Sequence, residues 1–394
     1  MAKRDKILGS LNLLTSMGKT ISHLQIFGLG RNPEISAAEI RARFPRASII
    51  SVTKNFLLAE NLSDDLSLKK LGGTLFLARV FAVTPKLDLN KINDFFAKKF
   101  QAKTGKQNFG VISLGFPRKP NSQILLTAKK FLRSQQISSR FVNKNFQNLS
   151  TPEIEFEILR RQGCALLIAQ TAAQIFSAEI WAVQPFTAIA ARDYGKPARA
   201  TRNGMLPPKL AQILLNLTLG DLTAQTVYDP FCGTGTILVE AGLLGHRLLG
   251  SDLNPQMLLF TQRNLAAQRL KAQLWRQDAT QPIPRPVAYV ITEGSLGPPL
   301  TQTPTPQSQA KIFSNLTKLY RKFFQNLKAQ KVGITFPFFG SGKNPAQRFT
   351  LQILPPLKKL GWQNTLKQEL LYKRPQQIVG REIVVLKKNN RKQQ

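Results

Sequence analysis

The chain has 394 residues, 42% of them hydrophobic, which suits two or three domains with cores of their own. Its 56 Lys and Arg against 21 Asp and Glu give a formal net charge of +35. That excess favours a polyanionic partner, nucleic acid ahead of a membrane surface, because no sustained basic amphipathic helix is visible. Cys164 and Cys232 lie far apart and His23 and His246 complete no ligand cluster, so neither a disulfide framework nor a metal site is expected, and a reducing cytoplasm is.

In chain order, MAKRDKILGSLNLLTS has too short an apolar run for a signal sequence and no small-residue cleavage site follows. Residues 1–21 therefore read as an N-terminal extension. Residues 22–75 open with the strand-like HLQIFGLG, continue with the helix-like SAAEIRARF and close with ASIISV, a small α+β domain. Residues 76–190 alternate short strands and helices, among them NKINDFFAKKF, FGVISLGF and SQILLTAKKFLRS. From Phe95 to Pro152 there is no acid against eleven Lys and Arg. Lys98, Lys99, Arg118, Lys119, Lys129, Lys130, Arg133 and Arg140 in that stretch are candidates to grip RNA phosphates. Phe109, Phe116 and Phe141 are interleaved with them; the core is the stronger reading for these rings and base stacking the weaker. The apolar run CALLIAQTAAQIFSAEIWAV carries two Gln and Glu179, which makes it a poor membrane span.

From residue 191 the rhythm changes. Helix GMLPPKLAQILLNL precedes strand TVYDPF, a Gly turn and helix GTILVEAGLL. Strand RLLGSDL, helix PQMLLFTQRNLAAQRL and strands QLWRQDA and AYVITE follow. A long helix around QAKIFSNLTKLYRKFFQNL and strand VGITFPFF come next, and residues 298–309 between them read as a Pro/Thr/Gln-rich loop. Strand–helix alternation at this spacing predicts a doubly wound, mainly parallel sheet over residues 191–394.

Residues 222–368 hold five acids: Asp229, Glu240, Asp252, Asp278 and Glu293. All but Glu240 fall at the predicted ends of consecutive strands, the edge where ligands bind in open α/β sheets. The bland reading, that strand ends favour Asp as a turn former, accounts for one or two of them but not for four in order. Asp229 opens Asp229-Pro230-Phe231-Cys232-Gly233-Thr234-Gly235. The glycines let the backbone bend and a ligand approach, and the following helix N-terminus favours an anion. A dinucleotide fingerprint wants a third small residue where Leu238 stands. Asp252, followed by Leu253, lies where a ribose-binding carboxylate belongs. Asp278, followed by Ala279, is placed to accept from an adenine amino group. A nucleoside with a zwitterionic tail meets these requirements, and S-adenosylmethionine suits them better than NAD.

These segments are familiar. DPFCGTGTILVEA, GSDLNPQML and QDA resemble motifs of class I methyltransferases, in the RNA-methylating (UPF0020-like) branch that includes tRNA guanosine N2-methyltransferases. ARDYGKPAR with GMLPPKLAQILLNL, LGRNPEISAAEI and LLYKRPQQIVGREIVVLKK extend the likeness to the archaeal and eukaryotic enzymes acting on position ten of tRNA. The resemblance implies a Rossmann-like methyltransferase domain at 191–394, a THUMP RNA-binding domain at 76–190 and a ferredoxin-like domain at 22–75. It also implies S-adenosylmethionine as cofactor, held by residues 229–235 together with Asp252, Leu253, Asp278 and Ala279. Residues 198–210 would cover its methionine end. RNA, most naturally tRNA, is the implied substrate. A small activating protein subunit stays open, since the eukaryotic relatives require one and the archaeal ones do not.

In the family the fourth strand ends in Asp or Asn, Pro, Pro, and Tyr or Phe. The acid or amide and a backbone carbonyl accept from the target amine, and the aromatic ring stacks on the flipped base. Here Glu293, Gly294, Ser295 and Leu296 stand in those places. Glu293 keeps a carboxylate, whereas the stiff proline pair and the aromatic are gone. Losing a stacking ring costs about 1–3 kcal/mol, which weakens an enzyme without abolishing it. An RNA (guanine-N2) methyltransferase is the expected function. The alternatives are a catalytically degenerate RNA-binding scaffold or chaperone and, from the last region alone, a DNA methyltransferase. An NAD-dependent oxidoreductase gives no reason for the charge.

Overall fold

The computed structural model describes residues 23–63, 66–200, 205–340, 344, 347–375 and 377–389, so the expected extension at 1–21 lies outside the described residues. The chain forms two compact units. One comprises residues up to 37, 46–69 and 73–186; the other comprises 38–45, 70–72 and 187–394.

The first unit is built on one eight-stranded sheet. Its strands are β1 (Gln25–Leu29), β2 (Ser48–Val52), β3 (Phe56–Glu60), β4 (Thr74–Thr84), β5 (Gln107–Leu114), β6 (Ser139–Phe141), β7 (Cys164–Gln170) and β8 (Ile175–Val183). Their order is β2-β3-β1-β4-β8-β7-β5-β6, so strands from both expected N-terminal regions share the sheet. Helix α1 (Pro33–Arg43) follows β1, and α2 (Leu89–Phe100) and α3 (Asn121–Ser134) flank β5. Asp88 caps α2 by accepting from the Asn90 and Lys91 amides, 3.1 Å each. Ile92, Phe96 and Phe100 then recur every four residues and are buried against Phe109, Val111, Leu125 and Leu166. Phe109 is fully buried there, and Phe116 and Phe141 pack partly buried against the same cluster. All three rings thus serve the core. The apolar run at 164–183 is the antiparallel pair β7–β8. Among the described residues no helix is long and apolar enough to cross a membrane.

The second unit holds a nine-stranded sheet. Strands β9 (Thr226–Asp229), β10 (Arg247–Asp252), β11 (Gln273–Arg276), β12 (Tyr289–Thr292) and β13 (Lys331–Gly340) run parallel. The path continues through the antiparallel β17 (Val379–Lys388) to β15 (Trp362–Asn364), and the short β14 (Arg348–Thr350) and β16 (Leu370–Tyr372) pair with β13 and β17. The order β11-β10-β9-β12-β13-β17-β15 reverses direction between β9 and β12, which opens a crevice at their carboxyl ends. The helices are α4 (Phe186–Asp193), α5 (Pro208–Leu219), α6 (Thr236–Leu243), α7 (Pro255–Ala267), α8 (Pro306–Asn326) and α9 (Leu354–Lys359). Helix α8 turns Phe313, Leu316, Tyr320, Phe323 and Phe324 into a core with Val290, Val332, Ile334 and Phe336, the stripe expected of a one-sided helix. Helix α5 packs tightly on β13: a Cβ at Gly333 would sit 1.9 Å from the Thr218 hydroxyl.

Candidate active site

A cavity of about 570 Å³ lies at the carboxyl ends of β9, β10 and β12. Asp229, Asp252 and Glu293 line it together, with the Gly loop and residues 293–300. Three of the four strand-end acids therefore meet. Asp278 does not line it. It stands two residues beyond β11, where its carboxylate accepts from the Thr280 amide at 2.8 Å. That bond holds its pKa below the ordinary value. Ala279 packs against the core cluster of α8, Leu253 is 61% exposed and Pro230 is buried, and none of these three lines the cavity either.

Asp229 ends β9 and is 2% exposed. Burial pushes its pKa up to about 7, against hydrogen bonds from the Thr292 hydroxyl and the Phe231 amide, while Asp252 and Glu293 add to the rise. The following loop is held at several points. The Cys232 amide donates to Ser251 O at 3.0 Å, and Thr261 Oγ1 donates to Gly233 O at 2.8 Å. Gly233 and Gly235 have φ of 52° and 79°, the left-handed region where a side chain is strained. A Cβ at Gly235 would also lie 2.8 Å from the fully buried Thr261. At Gly233 nothing stands within 3.8 Å of such an atom, so bare backbone borders open space. Both oxygens of Asp252 accept from amides, Gly233 N and Asn254 N, each at 2.9 Å. A carboxylate has about four acceptor directions, so two remain for a ligand.

Helix α6 starts at Gly235 with no side chain capping it, which leaves amides for an anion. Lys196 strengthens that corner: its Nζ donates to Thr234 Oγ1 at 3.1 Å and Thr236 Oγ1 at 3.3 Å. Asn264 on α7 ties the loop to the segment before α5. It donates to Thr234 O (2.8 Å) and Ala198 O (2.9 Å) and accepts from Ala198 N (2.9 Å). Lys196, Thr261 and Asn264 were not singled out from the sequence. Two polar residues on the inward face of an otherwise apolar-faced helix were the available signal. Beside the loop, Arg192 clamps the buried Glu240 through bonds of 2.6 and 3.1 Å, which explains the one acid of residues 222–368 that lies inside a helix.

Glu293 follows β12 directly. Its carboxylate accepts from Nε of Arg381 at 2.5 Å, and its carbonyl accepts from Thr335 Oγ1 at 2.7 Å. Arg381, on β17, is 1% exposed. Burial raises the Glu293 pKa, opposed by Arg381 and by the more distant Lys196. Gly294 has φ of 72°, and the Tyr320 hydroxyl donates to Ser295 O at 2.6 Å. Leu296 also lines the cavity, and among the described lining residues Phe231 is the aromatic one.

The expected RNA-gripping cations sit in the first unit on α2, in the loop before α3, on α3 and on β6. Lys98, Arg118, Lys119, Lys130, Arg133 and Arg140 are exposed. Lys99 pairs with Glu179 at 2.7 Å, Arg140 stands 3.7 Å from Glu157, and Lys129 donates to Ser139 O.

The strand order, the Gly loop and the acids at the strand ends define the second unit as a class I, Rossmann-like methyltransferase fold. TrmN from Thermus thermophilus shares the architecture, with a TM-score of 0.51 at 16% identity over 93% of this chain and all of that one. Residues 197–334 match the UPF0020 family model, described as RMKL-like, methyltransferase domain. A tRNA (guanine(10)-N2)-dimethyltransferase from Methanothermobacter thermautotrophicus is 47% identical over 62 residues, 16% of this chain and 18% of that protein. An uncharacterized S-adenosylmethionine-dependent methyltransferase from Mycobacterium tuberculosis is 37% identical over 70 residues, 18% of this chain and 20% of its own length. The aligned segments thus span a fifth or less of these relatives.

Proposed function

We propose that the protein is an S-adenosylmethionine-dependent RNA methyltransferase acting on the exocyclic N2 of a guanosine in tRNA. The observation that carries this reading is the meeting of an Asp252-anchored Gly loop and the Glu293 loop on one cavity at the reversal point of the sheet. The residues fit the cofactor. Asp252 retains acceptor capacity for a ribose diol, Gly233 leaves room for close approach, and the α6 N-terminus with Lys196 suits a carboxylate. When bound, S-adenosylmethionine supplies an electrophilic methyl group. Glu293 accepts a hydrogen bond from the guanine amine and aligns its lone pair, and the Arg381 guanidinium holds the carboxylate in place and favours its charged form against the desolvation that raises its pKa. We assign residues 76–190 to a THUMP-type RNA-binding domain and 22–75 to a ferredoxin-like one. The exposed cations at 98, 118, 119, 130, 133 and 140 bring the tRNA, by attraction to its phosphates.

A second reading, a scaffold that binds RNA without transfer, has one observation in its favour: Leu296 replaces the base-stacking ring and no aromatic residue stands in 293–300. The experiment that decides is incubation with labelled S-adenosylmethionine and unmodified total tRNA, followed by nucleoside mass spectrometry. N2-methylguanosine supports transfer. Saturable cofactor binding without label in any RNA supports the scaffold.

A further inference from the structure

The loop after β12 lacks the proline pair that stiffens its counterparts, yet it is held from three sides, twice through its backbone and once through a side chain. Thr335 on β13 binds the carbonyl of Glu293, Tyr320 on α8 binds the carbonyl of Ser295, and Arg381 on β17 binds the Glu293 carboxylate. The three donors are 0%, 0% and 1% exposed. Buried donors of this kind are costly unless paired, so their geometry is fixed by the surrounding core rather than by the loop. Gly294 lies between the two bound carbonyls at φ 72°. Proline, locked near −65°, has no access to that conformation. No other side chain fits either, because a Cβ at Gly294 would stand 2.6 Å from the Tyr320 hydroxyl. Glycine and tyrosine are therefore interlocked: the phenol takes the space that a side chain at 294 would need.

Building on the transferase reading, we infer that Thr335, Tyr320 and Arg381 are positioning residues that preset the Glu293–Ser295 loop, replacing proline rigidity with three buried cross-links. They act through the loop and do not touch the base. Gly294 is then required by the cross-links, rather than being a sign of a collapsed motif.

Two measurements on the full chain test this. The first is a melting cycle. Gly294→Ala lowers the melting temperature in the wild type, and lowers it clearly less in a Tyr320→Phe background, where the clashing hydroxyl is gone. Equal drops in both backgrounds overturn the interlock. The second is kinetic. Thr335→Val, which keeps shape and loses the donor, lowers kcat on tRNA at least tenfold with the KM for S-adenosylmethionine within twofold. Thr335→Ser, which keeps the donor, restores most of kcat. Val and Ser variants with the same kcat, or a loss carried by the cofactor KM, overturn the positioning role. A wild-type protein without transfer sinks the transferase reading, and the melting cycle still decides the interlock.

Discussion

Asp252 makes the most exposed commitment of the cofactor assignment. Removing its carboxylate in Asp252→Ala has two consequences of different size. The Gly233 amide, only partly buried, loses a 2.9 Å bond, and the Asn254 amide, exposed, loses another that water replaces. Bonds to a charged acceptor are worth about 1.5–3 kcal/mol each, and the hydrated one less, so the fold loses about 1–3 kcal/mol. The ligand loses more. Two ribose hydroxyls on the free acceptor directions contribute on the same scale, and each 1.4 kcal/mol is about tenfold in affinity. Calorimetric titration with S-adenosylhomocysteine should therefore show at least a tenfold weaker Kd for Asp252→Ala, with Asp252→Asn in between because it keeps one acceptor. RNA affinity should stay the same. An Ala variant that binds as tightly as the wild type would refute the placement of the ribose on this carboxylate.

Asp229 has its pKa raised by burial from 3.8 to about 7, so the folded state favours the protonated acid. Its contribution to stability is full below about pH 4 and is lost as pH rises through 7. The melting temperature of Asp229→Asn should gain on the wild type between pH 5 and pH 8, and a constant difference would contradict the buried acid. Asn264→Ala removes three bonds of 2.8–2.9 Å and strands buried groups of Ala198 and Thr234; urea unfolding should show a loss of about 2–4 kcal/mol. RNA affinity, measured by filter binding from 50 to 200 mM salt, should fall at least tenfold, as expected of a chain with net charge +35, and a flat response would remove the phosphate argument.

Much of the second unit was legible because its signals are local. TVYDPF, RLLGSDL and AYVITE each couple an apolar run to a terminal acid, and the sheet places β9, β10 and β12 side by side. Asp278 shows the limit of that rule: two further residues and an amide at Thr280 make it a turn former outside the cavity. The other half of the site was not legible. Arg381 is 88 residues from Glu293, on a strand that reaches β12 only by inserting antiparallel beside β13. Tyr320 and Thr335 read as ordinary members of an amphipathic helix and a buried strand, and only packing reveals that their hydroxyls face a loop. In the first unit the basic run was visible, but not which cations it spends internally. Lys99 on Glu179 and Lys129 on Ser139 O are pairings that no spacing announces.

The central claim is that one hollow holds the adenosyl group against Asp252 and presents its sulfur to the Glu293 loop. A crystal structure of the protein with S-adenosylhomocysteine tests it most directly. Ribose density is expected on the Asp252 carboxylate, with the amino-acid end at the start of α6 and the sulfur facing Glu293–Ser295. Density bound elsewhere, or a ribose out of reach of Asp252, would contradict it.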